Sequence, residues 1–261
     1  MMLFANLLAI FRKEFLSYFT SSFTYIIAGI FWLISGILLN LVLGQLIQGA
    51  ELARQSGMTS PVDVGSDFLN AYLGVIISLF LVLLPALSMG LYAEERKRGT
   101  LELLATSPIT NWVVALGKLL GVFCFFTVLL VPLWFYQIIV FSASNPPLPI
   151  HLIVLANSAV LWVAAAVLSL GMFISSLTES SIIAYILTFI LILVLWIIDA
   201  IAQKVSGWLG EVLSYLSLFD HYNTLVSGML DVKSLVLFAT YIFLGVFLTA
   251  QSIETLRYQR S

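Results

Sequence analysis

Charge is scarce in this chain. Only 9% of its 261 residues are Asp, Glu, Lys or Arg, against about 25% in an ordinary soluble domain. A surface that meets water on every side needs more than that, so a soluble domain is excluded. Cysteine is nearly missing as well. The one thiol, Cys124, stands in an apolar run, which leaves no internal disulfide and no cysteine cluster for a metal. Histidine occurs only as His151 and His221, with no glycine-framed serine and no paired intramembrane aspartates to complete a hydrolytic site or a metal centre. Also lacking is the phosphate-cradling loop G-x-x-x-x-G-K-[ST]. The only Gly-Lys pair, Gly117 and Lys118, has Trp112 where the first glycine belongs and Leu119 where the hydroxyl belongs. The chain is therefore expected to bind no cofactor and no metal and to hydrolyse no ATP, and a net charge of -2 offers no footprint for nucleic acid.

What is present is apolar length. Hydrophobic residues make up 61% of the chain, and they fall in runs of the roughly 20 residues needed to cross a bilayer. Punctuation by charge, glycine, proline and asparagine predicts six spans, near residues 23–47, 68–93, 113–142, 150–176, 180–202 and 232–254. The opening MMLFANLLAIFRKEFLSYF begins apolar and meets Arg12, Lys13 and Glu14 only later, the reverse of a cleaved leader. Leu3, Leu7, Phe11 and Phe15 recur at helical spacing, which predicts an interfacial helix over 1–20, with a frayed terminus as the competing reading.

An even number of spans puts both termini on one side. With the termini inside, the inner segments hold Arg12, Lys13, Arg96, Lys97, Arg98, Lys118, Arg257 and Arg260, and the outer ones Arg54, Lys204 and Lys233. This imbalance places the N and C termini in the cytoplasm. The segment YAEERKRGTLELLATSPIT, Tyr92 to Thr110, then becomes a cytoplasmic loop after span 2. Gly99 can break the helix there, Thr100 can cap a new one, and Glu102 suits its first turn. Leu101, Leu103 and Leu104 give the new helix an apolar side, and Ser107 and Pro108 stop it. Two readings of this loop stand. It is either a solvated anchor whose basic residues touch anionic lipid, or a short amphipathic helix that docks into a groove on another protein. The alternation of Glu94 and Glu95 with Arg96, Lys97 and Arg98 favours docking.

On the outer side, NPPLP at Asn145 to Pro149 predicts a stiff turn. The apolar link 203–231 predicts short helices packed against the spans. Pro85 and Pro132 fall inside spans 2 and 3 and are expected to bend them. Gly117 and Gly121 form one small-xxx-small pair. Lys118 is expected to snorkel to the inner interface beside Trp112. Asp199, near the outer end of span 5 with Lys204 a turn beyond, reads as an interfacial or ion-paired acid rather than a proton carrier. Glu179 is placed to cap span 5, and His221 is expected on the surface of an outer helix. Asn40, Thr127, Gln137, Asn157 and Ser169 are expected to bridge helices.

The run EERKRGTLELLATSPIT, continued by NWVVALGKLLG, resembles the pattern E-R-x-x-G-T-L-E-x-L-x-x-[ST]-P that follows the second span in the ABC-2 family of ABC-transporter permeases. KEFLSYFTSSFTYIIAGIFWLISG, Lys13 to Gly36, and SLFDHYNTLVSGMLDVKSL, Ser217 to Leu235, resemble the opening and the outer segment of its gliding-motility-type members. Many of those carry proline where this chain has Ser22, so the turn into span 1 is softer here. The resemblance implies an all-α integral membrane fold. It would have six transmembrane helices, an N-terminal interfacial helix, a cytoplasmic coupling helix within the 94–110 loop, and short outer helices before span 6, all in one domain over 1–261. It also implies the plasma (inner) membrane, a second permease subunit in a homo- or heterodimer, and an ABC ATPase subunit that binds the ATP and Mg. Contact with that ATPase would fall to Glu94, Glu95, Arg96, Glu102 and the leucines, with Gly99, Thr100 and Pro108 shaping the loop. Spans without polar stripes suggest a lipid-like or amphipathic substrate in the lipid bilayer, moved outward. The alternative is a membrane anchor that recruits an ATPase to drive an outer partner, such as a membrane subunit with a large outer domain. An ion-coupled secondary transporter is disfavoured by the missing midplane charge and the lack of an internal repeat.

Overall fold

The computed structural model describes residues 2–56, 64–100, 110–143, 149–202, 204–205 and 207–258. Among them every regular element is helical: α1 (Met2–Thr20), α2 (Ser22–Gln55), α3 (Val64–Ser88), α4 (Gly90–Lys97), α5 (Asn111–Ser142), α6 (Ile150–Leu177), α7 (Ser181–Ala202), α8 (Trp208–Leu216), α9 (Leu218–Val226) and α10 (Val232–Tyr258). Six helices are long and apolar enough to cross a membrane, over Ser22–Gln55, Gly65–Lys97, Asn111–Ser142, Ile150–Leu177, Ser181–Ala202 and Val232–Thr255. With no water in hydrocarbon to satisfy backbone groups, a helix is the form in which each run satisfies its own. α2 continues to Gln55, past the end of its apolar run, because ELARQ has no residue that stops a helix.

α6 is the axis of the bundle. It packs against α3, α5, α7, α9 and α10, and small residues along it permit this. Ala156, Ala159, Ala164, Ala166, Ser169 and Gly171 are all buried. α2 and α7 lie at the periphery and keep isoleucines and other large apolar side chains exposed, as lipid-facing helices do. The polar residues within the spans divide into two kinds. Gln137 and Asn157 join α5 to α6 through reciprocal amide bonds of 3.3 and 2.7 Å, and Ser169 joins α6 to the Tyr241 carbonyl of α10 at 3.3 Å. Asn40 and Thr127, expected to bridge helices, instead bond to their own helices at Gly36 and Phe123. The carbonyl one turn back, which has a second lone pair beyond its ladder bond, is the nearest partner for a short polar side chain.

α8 and α9 fill the end of the bundle opposite the charged loop. α9 buries Leu218, Phe219, Tyr222, Leu225 and Val226, and the Tyr222 hydroxyl donates to Leu73 of α3 at 3.0 Å. Asp199 accepts from Ser217 Oγ at 2.8 Å and is buried. His221, expected on a surface, is also buried. Its ring nitrogens face Ser234 Oγ at 2.8 Å and the Tyr215 carbonyl at 3.2 Å, because the apolar face of α9 turns it inward.

Candidate functional site

The charged end of the bundle brings Glu14, Glu94, Glu95, Arg96, Arg98, Lys118 and Glu179 into ion pairs. α1 reaches it by lying against α5, where two glycines remove the side chains that would keep the helices apart. A Cβ at Gly117 would stand 2.8 Å from Ile10 Cγ2, and one at Gly121 would stand 2.7 Å from Glu14 Cβ. The small-xxx-small pair is thus the seat of α1. Ser21, in extended conformation, is the only residue between α1 and α2.

Glu14 is carried by this contact to Lys118 of α5. The lysine does not snorkel outward: its side chain is 3% exposed. Its ammonium donates to the Glu14 carboxylate at 3.3 Å and to the Leu91 carbonyl, pairs with the Glu95 carboxylate at 3.0 Å, and lies 4.7 Å over the Tyr92 ring. Glu95 also meets the exposed Lys13 at 3.3 Å. Two cations face two carboxylates, so the group is neutral as a whole, which a buried charge requires. The snorkelling expectation failed because it judged Lys118 by its own helix, while its partners sit on α1 and α4.

α4 is the stem of the loop that the sequence singles out, and its other side is held by α6. Ser175 Oγ accepts from the amides of Tyr92 and Ala93 at 3.0 and 3.1 Å and donates to the Met89 carbonyl at 2.8 Å. Arg96 donates to the Ser176 carbonyl at 2.9 Å and pairs with Glu179 at 3.6 Å. Glu179 is therefore the partner of Arg96, and the start of α7 is capped instead by the Ser180 hydroxyl, which accepts from Ile183. Arg98 pairs with Glu94 one turn back at 3.4 Å. Tyr18 of α1 donates to the Leu87 carbonyl at 2.8 Å. Burial, and then the nearby Glu14 and Glu94, push its phenol well above the usual range, so it remains a donor. Between the stem and the α6–α7 turn opens a cleft of about 930 Å³ lined by Glu94, Arg96, Arg98, Thr178 and Glu179 among others.

Glu94, Glu95 and Arg96 thus fall together on one clamped helix. Gly99 ends it with φ +69, a conformation costly for any side chain with a Cβ. Thr100 Oγ1 donates back to the Glu95 carbonyl at 3.2 Å. Leu101, Glu102, Leu103, Leu104 and Pro108 lie outside the described residues. Sequence reasoning missed Glu14, Lys118 and Ser175. A lysine five positions past the start of a predicted span was the available signal.

A family model described as ABC-2 family transporter protein matches residues 8–258. A search of curated proteins finds no match. The matched stretch takes in α1 from residue 8, the clamped stem, all six long helices and the outer helices between α7 and α10. The chain belongs to the ABC-2 transporter family and is a multi-pass membrane permease subunit of an ABC transporter.

Proposed function

We propose that this permease is the membrane half of an ATP-driven exporter of the plasma membrane, resembling the gliding-motility type. In this reading it works in a homo- or heterodimer, and a separate ABC ATPase docks on its charged loop. The same reading places the termini and the loop in the cytoplasm, the orientation that eight of eleven cations favour. α1 then lies along the inner interface. The observation that carries the reading is the clamp on α4. A force on the 101–107 segment reaches a stem tied to α1 and α5 by the ion pairs of Glu95 with Lys13 and Lys118, and to α6 by hydrogen bonds from Tyr92, Ala93 and Arg96. A stem tied to three helices passes a push into them as a rigid-body shift, whereas a loop that only touched lipid would need no such ties. The cleft beside the stem leaves room for a partner's side chains against Glu94, Arg96 and Arg98. Substrate passage would follow the apolar surfaces of the spans, which suit a lipid-like or amphipathic molecule.

The test is affinity purification of the tagged protein from gently solubilised membranes, wild type against Glu102→Lys, with identification of the co-purifying chains. An ATPase with a phosphate-binding loop that accompanies the wild type and is depleted in the variant supports docking. No ATPase with either protein would return the loop to a lipid anchor.

A further inference from the structure

Span 2 keeps helical backbone through Met89 (φ -58, ψ -36), whose amide donates to the Pro85 carbonyl at 2.9 Å. Its hydrogen-bond ladder is interrupted where it leaves the bundle, the Tyr92 and Ala93 amides turning to Ser175 Oγ. α3 ends at Ser88 and α4 begins at Gly90, one turn beyond Pro85, whose ring removes an amide from the ladder. Three neighbouring helices bind the backbone at this break. The Leu87 carbonyl accepts from Tyr18 of α1, the Met89 carbonyl from Ser175 of α6, and the Leu91 carbonyl from Lys118 of α5. Ser175 alone holds both sides of the interruption, since the same hydroxyl that donates to Met89 accepts from Tyr92 and Ala93. Proline and an inserted polar side chain are among the recognised causes of a kink.

The approach of α6 to the break is itself built. A Cβ at Gly171, one turn from Ser175, would stand 2.8 Å from Ser88 Cβ and 3.0 Å from Thr188 Cγ2. The adjacent Ser176 is equally buried, yet its hydroxyl donates only to Phe173 of its own helix. Of two neighbouring buried serines, one serves its own helix and the other serves span 2.

We infer that Ser175 is the positioning residue of the stem. Its hydroxyl, seated in the backbone of span 2, holds the break in one setting. Withdrawing it lets the helix close its own ladder, so the stem swings between two settings. The inference rests on the reading of the stem as the element that carries the partner's stroke, and adds the residue that sets its angle.

Spin labels on Lys97→Cys and Ile150→Cys, in a Cys124→Ser background, read the stem against the far end of α6, a 28-residue helix about 40 Å long. The parent is expected to give one distance population. Ser175→Ala is expected to add a second, and so is Gly171→Ala, which pushes α6 off Ser88 without removing a hydroxyl. Ser176→Ala is expected to keep the parental distribution. The inference is overturned if Ser175→Ala and Gly171→Ala both keep the single parental distance in monodisperse protein, or if Ser176→Ala shifts as far as they do. If Ser175→Ala does not fold, Gly171→Ala decides alone. Where an ATPase co-purifies, Ser175→Ala is expected to change its kcat and leave its KM for ATP in place. An unmoved distance with the ATPase present removes the hinge only. A second population without any ATPase leaves the hinge standing and removes the docking reading.

Discussion

Lys118 of α5 and Glu14 of α1, 104 positions apart in the chain, meet at 3.3 Å in surroundings that leave 3% of the lysine side chain exposed. With Glu95 they tie α1, the stem of the charged loop and span 3 into one unit.

Removing one member of such a group leaves the opposite charges buried without compensation, at a cost of about 3–5 kcal/mol. Lys118→Leu is therefore expected to lower the thermal midpoint of the detergent-purified protein strongly. Glu14→Gln, Glu95→Gln and Lys118→Met made together should recover most of the loss, since no charge is then left buried, and a buried amide costs far less than an unpaired ion. A triple variant as unstable as Lys118→Leu would show that the charges contribute more than mutual neutralisation.

Tyr92 gives a contrasting case. Its hydroxyl is buried and has no hydrogen-bond partner among the described residues, while its ring lies under Lys118. Tyr92→Phe keeps the ring and deletes an unsatisfied polar atom, so stability should be unchanged or slightly raised. Tyr92→Leu loses the cation–π contact, and about 0.5–2 kcal/mol with it. Equal losses from both variants in thermal unfolding would mean that the hydroxyl is bonded.

The seat of α1 predicts a third outcome. Gly117→Ala and Gly121→Ala each place a methyl within 2.8 Å of α1, and overpacking of this kind costs about 1–3 kcal/mol. The double variant should speed hydrogen exchange across residues 2–20 while exchange in α6 stays slow. Uniform acceleration throughout would instead indicate general unfolding.

These examples also mark what was legible in the sequence. The bilayer imposes a length on every apolar run, so six crossing helices follow from composition alone. The turn at Gly99 was legible because only its positive φ lets the stem end there at low cost. Partnerships across the bundle were not legible. Nothing in the residues around Lys118 announces Glu14, and nothing distinguishes Ser175 from Ser176, because neighbours on one helix face different helices. His221 was misplaced for a similar reason. A polar ring reads as exposed until Ser234 and the Tyr215 carbonyl are found on either side of it.

Asp199 separates the transport mechanisms. It is the acid nearest the interior of a span, it is buried, and it accepts from Ser217 Oγ at 2.8 Å, while Ser217 Oγ accepts in turn from the Asp220 amide at 3.1 Å. That chain of bonds makes Asp199 a fastening between the end of α7 and the start of α9. A proton carrier must change its charge during each cycle, whereas a fastening needs only an acceptor oxygen, which an amide also supplies. Asp199→Asn is thus expected to retain ATP-dependent activity of the assembled complex within a few-fold, with a modest loss of stability. Asp199→Leu, which removes the acceptor, should destabilise by about 1–3 kcal/mol. If Asp199→Asn folds, keeps its ATPase and yet loses activity altogether, the carboxylate is titrating in the cycle, and coupling runs through α7 rather than through the stem.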